Sequence, residues 1–433
     1  MNSSVPTLRI AAAGHNPGSQ EVAMVFTVQV SSELIGGDVD EGYGRVADAF
    51  RANFASGREV GAALTVYRDG VKVVDLWGGY RDGLARSRWR PDTMVNTFST
   101  TKGIAALTMA HAVSHGLLEY DAPVSRYWPA FRRNGKDTIT VRELLAHQAG
   151  LCALTPVPTL ADVADPDRLE PILAAQRPAW TPGTRHGYHA VTLGWFESEL
   201  IRRTDPQGRT LGRYFAEEIA SPLGVDYHIG LPAEMDRDRI AFIHGWPRIE
   251  AMLNARSLPT GTVLNSMNPF GLFSRAAGIP AGVNAYRSDY NRDDVRGVEI
   301  PSVNGTGTAR GVARLYGAAA TGGHQVGINA ETLAALQESP RPPSGGTRDK
   351  VLGIHPAYSL GFSRPDTAFV FGSSDRVFGT PGLGGSFGFA DPDTGIGYGY
   401  VMNRLGFHLV SDPRELALRQ ALFRDVLGAR PQS

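Results

Sequence analysis

The chain has 433 residues, 42% hydrophobic and 20% charged, with 43 basic against 43 acidic side chains and a formal net charge of zero. This is an ordinary composition for a globular chain of about two or three domain-sized units. It excludes electrostatic binding of nucleic acid, since no basic run appears; it offers no apolar run of about 18 residues to span a membrane, and Cys152, the single cysteine, leaves no internal disulfide.

In chain order, the N-terminus "MNSSVPTLRIAAAGHNPGSQ" lacks a basic start followed by an apolar core. It does not read as a secretion signal, so a cytoplasmic protein is expected. Residues 1–38 read as a loosely held extension. "DEGYGRVADAFRANFASG" (40–57) predicts an amphipathic helix, with Val46, Phe50 and Phe54 at spacing four and a glycine stop. In 61–82 two β-rich runs flank Asp69-Gly70, a hairpin signal. After the extended-looking "TMVNTF", residues 103–118 read as a helix apolar on more than one face. "TITVRELLAHQAGL" (138–151) opens a helix with a capping box, Thr140 to Glu143. From about 120 to 290, short helical runs mix with prolines and glycines. Strand signals return at 368–373 and at 385–403, the latter with a turn from Pro392 to Gly395. The C-terminal helix (411–428) carries Asp412 as N-cap, Pro413 at its first position and Glu415 at its third.

Strands at both ends and helices between them predict an α/β (α+β) fold. An antiparallel sheet, flanked by terminal helices, is built from 39–125 and 291–433, and a mostly helical domain, 126–290, is inserted in it. A cleft between the two is a natural ligand site.

Chemistry concentrates at "FSTTKG" (98–103). Of the 43 lysine and arginine side chains only four are lysine: Lys72, Lys102, Lys136 and Lys350. Arginine stays charged at any biological pH, whereas a desolvated lysine can lose its proton. Ser99 lies three residues before Lys102, on the same helical face, and at the predicted helix start, where free N–H groups favour developing negative charge. These are the parts of an activated nucleophile. The same pattern also fits an N-cap serine with an incidental lysine, and pattern alone does not separate the two.

Further segments decide the matter by resemblance. "FSTTKG" (98–103), "ITVRELLAHQAGL" (139–151), "WTPGTRHGYHAVTLGW" (180–195), "PSVNGTGTARGVARLYG" (301–317) and "GTPGLGGSFGFADPDTG" (379–395) together resemble the serine β-lactamase and penicillin-binding-protein superfamily. Within it the likeness is to the class C-like branch that includes the family VIII carboxylesterases. The resemblance implies that Ser99 is the acylated nucleophile, that Lys102 activates it, and that Tyr188 in "HGYHA" is the second acid/base. A phenol titrates at about 10, and a neighbouring ammonium is expected to lower that value.

The chain departs from the class C pattern at two positions. Ala190 stands where an asparagine amide would hold a β-lactam side chain. Thr380-Pro381-Gly382 stands where Lys-Thr-Gly would edge the site, so Thr380 replaces a cation. A site without such partners favours short acyl esters over β-lactams. Ala190, Thr380 and Gly382 are thus expected to line the substrate site. The oxyanion hole is expected from the N–H groups of Ser99 and Leu383.

Gly384-Gly385-Ser386-Phe387-Gly388 fits a nucleophile elbow but lacks the strand–turn–helix context, so Ser386 is read as structural. His111 and His115, at i and i+4, have no glutamate to complete a metal pattern. His186 and His189 flank Tyr188 and are read as packing, as is Trp77, while Arg310 reads as a substrate contact or an ion pair. No metal and no cofactor is expected. The expected partner is a small-molecule ester, with no nucleic acid and no membrane span, and the sequence is silent on oligomeric state. The reading is therefore a serine carboxylesterase working through an acyl-enzyme on Ser99. A β-lactamase or D-amino-acid peptidase, an amide hydrolase or acyltransferase, and a catalytically silent scaffold stand as alternatives.

Overall fold

The computed structural model describes residues 30–245, 254–284 and 289–433. Its main sheet has nine antiparallel strands. The first hairpin, β2 (Gly61–Arg68) and β3 (Val71–Asp82), turns at Asp69-Gly70, where both residues take positive φ. β1 (Ile35–Val39) and the short β4 (Ser87–Arg88) pair with β3. The late strands β8 (Ala357–Ser359), β9 (Phe362–Arg364), β10 (Phe378–Pro381), β11 (Phe387–Asp391) and β12 (Ile396–Met402) complete the order β1-β3-β2-β12-β11-β10-β9-β8. The two ends of the chain meet in the pairing of β12 with β2, where Tyr400 lies opposite Leu64. A second sheet joins β5 (Val95–Asn96), β6 (Tyr227–His228) and β7 (Thr306–Gly307) beside the start of the central helix.

Helix α1 (Gly44–Ala55) and the C-terminal helix Pro413–Gln420 pack together outside the sheet. The helix Ala309–Ala320 lies across β2, β11 and β12. Helix α2 (Thr100–Ser114) is buried along almost its whole length, from Thr100 to Ala112, as an all-round apolar helix must be. It contacts β10 and β11 and also the helix Thr192–Thr204 of the mainly helical middle region. The expected capping boxes are formed: Thr140 accepts from the Glu143 N–H at 3.1 Å while the Glu143 carboxylate accepts from the Thr140 N–H at 2.9 Å. Asp412 caps the C-terminal helix through the Arg414 N–H.

Two expectations need correction. The extension expected over 1–38 is shorter, because Ile35–Val39 adds an edge strand in register with β3, Gly37 facing Leu76; residues 1–29 lie outside the described residues. The strand expected at 368–373 is a loop. Asp366 accepts the N–H groups of Ala368 and Phe369, which turns the chain. The Val370 carbonyl then accepts from Arg419 and from the Ser433 N–H instead of from a strand. Its apolar residues Phe369 and Phe371 are nonetheless buried against Phe387. Among the described residues no helix is long and apolar enough to cross a membrane. Cys152 is buried with Val351 and Leu352 in a small cluster that touches Tyr188 and Ala190.

Candidate active site

The chain reaches α2 through a tied segment. The Thr97 N–H donates to the Gly305 carbonyl at 2.8 Å, and the Thr97 hydroxyl meets the Tyr227 hydroxyl at 2.7 Å. Phe98 follows at φ +47°, a conformation a bulky side chain rarely adopts. Its ring is held against Tyr290, centroids 5.3 Å apart, and such a residue costs about 1–3 kcal/mol that the surrounding packing must offset. The kink delivers Ser99 to the first turn of α2. Ser99 is half-buried between the buried Phe98 and Thr100. It occupies the N-cap position, yet its side chain caps no backbone N–H. The hydroxyl is left for other work.

Lys102 sits one turn on, fully buried. Its Nζ lies 3.2 Å from Ser99 Oγ and donates to the carbonyls of Ala190 at 2.7 Å and Ser302 at 3.0 Å. Burial pushes the amine down from an ordinary 10.5 to about 7, with Glu197 pulling weakly the other way. A neutral amine has two N–H bonds and one lone pair. As an ammonium Lys102 donates to Ser99 Oγ as well; when it is neutral and both carbonyls keep its N–H bonds, its lone pair faces Ser99. Ser302 is itself fixed, because its hydroxyl accepts the Gly194 N–H at 2.7 Å.

Glu197, on the Thr192–Thr204 helix, is also fully buried, and neither carboxyl oxygen has a hydrogen-bond partner among the described residues. Burial pushes its carboxyl up to about 8, against the attraction of Lys102. Near neutral pH this carboxyl is mostly protonated, so no full countercharge holds the proton on Lys102.

The Tyr188 phenol lies beside the Ser99 hydroxyl. The expected lowering of its pKa does not occur. Burial dominates and pushes the phenol well above its ordinary range, with the nearby Ser99 hydroxyl only partly opposing. The Lys102 Nζ lies 4.8 Å from the ring centroid. The ring's other neighbours are His147, with centroids 4.9 Å apart, and Tyr358, at 6.0 Å. His147 is buried and held neutral, chiefly by desolvation and then by His189. Tyr188 is thus a neutral phenol in an uncharged aromatic wall.

The remaining predicted residues fall around this core. The Ala190 carbonyl, not its side chain, makes the contact with Lys102. Thr380 is buried on β10 against α2: a Cβ placed on Gly103 would lie 3.0 Å from its Oγ1 and 1.9 Å from the Tyr316 hydroxyl. Gly382 and Leu383 form the turn after β10. That turn is tied to the start of α2 by Ser386, whose carbonyl accepts the Gly382 N–H at 2.7 Å and whose hydroxyl donates to the Thr97 carbonyl at 2.7 Å. Ser386 is therefore a buried strut. Among the described residues neither the Ser99 nor the Leu383 N–H has a backbone hydrogen-bond partner.

The flanking histidines make local bonds: His186 Nδ1 meets the Ala146 carbonyl at 3.0 Å, and His189 Nε2 accepts the Leu151 N–H at 3.0 Å. His111 and His115 stack 4.0 Å apart, His111 bonding Tyr214 at 2.9 Å, and no metal-holding group of residues occurs among the described ones. Arg310 pairs with both Asp75 oxygens at 3.0 Å and lies over the Trp77 ring. Sequence reasoning missed Ser302, Glu197, Phe98 and His147. The available signal was that Phe98, His147 and Ser302 lie within the quoted segments 98–103, 139–151 and 301–317.

With this geometry in place, comparison with known proteins gives the following. The sequence model of the family described as Beta-lactamase matches residues 46–422. The chain is 35% identical over 370 residues to the esterase/beta-lactamase LipL of Mycobacterium tuberculosis, covering 85% of this chain and 83% of that one. Its fold is similar to the crystal structure of a family VIII carboxylesterase, with TM-score 0.77 and 38% identity over 89% of this chain and 98% of that one. It is also similar to EstA from Arthrobacter nitroguajacolicus Rue61a, with TM-score 0.76 and 34% identity over 91% and 99% of the two chains.

Proposed function

The chain belongs to the beta-lactamase family, and from that premise we propose that it is a serine ester hydrolase that forms an acyl-enzyme on Ser99. One observation carries the reading. Ser99 Oγ lies 3.2 Å from the amine of a fully buried lysine that is also held by two carbonyls, with the phenol of Tyr188 beside it.

The Lys102 lone pair takes the Ser99 proton as Oγ attacks the ester carbonyl. The N–H groups of Ser99 and Leu383, at the helix start and the turn after β10, receive the developing oxyanion. Tyr188 holds its proton firmly and gives it to the departing alkoxide, and Lys102 returns the abstracted proton to the phenolate. Water enters by the reverse roles and releases the acid. Short acyl esters are the favoured substrates. The Ala190 side chain offers no amide and Thr380 no cation, and relatives named esterase and carboxylesterase support the same class.

The test is a serine-reactive phosphonate followed by peptide mapping, with p-nitrophenyl butyrate turnover measured alongside. The label is expected on Ser99, and Ser99→Ala is expected to lose label and turnover together, by about a million-fold for turnover. A label on Ser386, or a tenth of the turnover surviving in Ser99→Ala, overturns the reading.

A further inference from the structure

Outside the catalytic cluster, one cavity has a charge pattern that the proposed ester chemistry does not use. Its volume is about 420 Å³, and Arg185, Asn265, Arg348, Lys350, His355 and Asp349 border it. Most arginines of this neutral chain are engaged with carboxylates, but among the described residues Arg185, Arg348 and Lys350 form no ion pair. The one acid here is turned away. Asp349 is buried, and its Oδ1 accepts the N–H groups of Val351 and Leu352 at 2.8 Å each.

The cavity wall is built. The Ser344 N–H donates to the Gly183 carbonyl, the Gly345 N–H to the Thr184 carbonyl and the Lys350 N–H to the His186 carbonyl, at 3.0, 3.0 and 2.8 Å. Segment 344–350 is thereby laced to segment 183–186. Arg185 lies flat on this lacing. Its Nη1 donates to the Thr184 carbonyl at 2.9 Å, and a Cβ at Gly345 would fall 1.7 Å from that nitrogen, so only glycine admits the guanidinium there. From the other side Asn265 donates to the Val351 carbonyl at 2.9 Å. Among the described residues, Arg185, Arg348 and Lys350 thus border a cavity with a single carboxylate, buried Asp349, one oxygen of which is bound to backbone N–H groups.

We infer that this cavity binds an anionic group, a carboxylate or phosphate, carried by a small molecule. A guanidinium matches either group with paired hydrogen bonds, and lysine adds a point charge. The site has a direct connection to catalysis. Arg185 is three residues from Tyr188, and the Lys350 N–H is bonded to the His186 carbonyl two residues before it. An anion held here sits against the loop that positions the proton donor. The anion has two sources: an acid group on the ester substrate itself, which deepens and rests on the function proposed above, or a free small anion.

The test compares wild type with Arg348→Gln/Lys350→Gln, whose two side chains are exposed, and with Arg185→Gln. The first arm measures kcat/KM for a p-nitrophenyl ester with an ω-carboxylated four-carbon acyl chain against p-nitrophenyl butyrate. If the anion belongs to substrate, the ratio of the two falls at least tenfold in both variants, and in wild type it falls with added salt. The second arm titrates inorganic phosphate by calorimetry. If the anion is free, phosphate saturates wild type and not the variants, with the ester ratio unchanged. An unchanged ratio together with no saturable phosphate binding overturns the inference. That outcome with butyrate still hydrolysed leaves the esterase reading standing, whereas phosphate binding in a protein that cleaves neither ester defeats the esterase reading alone.

Discussion

Two buried cations in this molecule are handled in opposite ways. Arg414, at the start of the C-terminal helix, is surrounded by acids: its Nε meets Asp412 at 2.8 Å, its Nη2 meets Asp412 at 3.0 Å and its Nη1 meets Glu59 at 3.2 Å. It also donates to the carbonyls of Arg404 at 2.9 Å and Gly384 at 2.7 Å. Lys102 is as deeply buried but touches only two carbonyls and a hydroxyl. The acids differ in response: Glu59 is pushed up by its burial in spite of Arg414. Asp412 is held below its ordinary range because attraction and hydrogen bonds from Arg414 together outweigh burial, whereas Glu197 is pushed up to about 8 by burial with no hydrogen-bonding cation. At Arg414 the chain answers a buried charge with carboxylates. Where charge must come and go, it uses one of its four lysines and withholds them. The two regions meet at the turn after β10, whose Gly384 carbonyl Arg414 grips one residue from Leu383.

Exchanging the rules between the regions breaks the comparison most severely. Lys102→Arg fixes a charge where a lone pair is needed, and turnover of p-nitrophenyl butyrate is expected to fall about 10⁴-fold or more, as far as in Lys102→Ala. Steady-state kinetics decides this, and an arginine variant within tenfold of wild type removes the base from the mechanism. Tyr188→Phe keeps the ring against His147 and Tyr358 and deletes the proton donor. A loss of about 10²- to 10⁴-fold in kcat with an unchanged melting temperature is expected.

Removing charge from the paired region tests the other half. Arg414→Met leaves Glu59 and Asp412 buried without their partner. Urea denaturation is expected to show a loss of about 3–5 kcal/mol. Turnover by the folded fraction should fall as well, because the Gly384 carbonyl loses its anchor.

The smallest effect sharpens the contrast by pH. Activity is expected to rise with pH through about 7 as Lys102 loses its proton. Glu197→Gln removes only the small remaining charge of a carboxyl that is mostly protonated there, so the acid limb moves slightly, to lower pH. The variant also changes stability in a defined direction. The native carboxyl titrates at about 8 against an ordinary 4.5, so the folded state keeps a proton that the unfolded state has lost between those values. The stability from this group is complete below pH 4.5 and is lost as pH rises through 8. Glutamine abolishes that loss, and the melting temperature of the variant relative to wild type is expected to climb between pH 5 and 9.

Much of this was legible in the sequence because it depends on side-chain identity at fixed spacing. Ser99 and Lys102 share a helical face at i, i+3, Thr140 and Glu143 make their box, and the β-rich runs at 61–82 and 385–403 pair as neighbours. What sequence could not supply depends on burial and on backbone. The carbonyls of Ala190 and Ser302 that orient Lys102 have no residue signature. The raised proton affinity of Tyr188 follows from desolvation, which overrode the charge argument made from its neighbour. β5, β6 and β7 are two residues each, too short for an alternating pattern, and the loop at 368–373 has strand-like residues whose hydrogen bonds go to arginines and the C-terminus instead.

The lone thiol has a practical use. Burial pushes Cys152 up to about 12, so it is almost never a thiolate near neutral pH and reacts slowly with alkylating reagents. A Ser99→Cys variant would therefore carry a single reactive sulfur against a silent background. That sulfur stands where the lysine ammonium favours a thiolate. Its alkylation rate against pH becomes a proton gauge for the site, readable by mass spectrometry with no substrate bound and no turnover required.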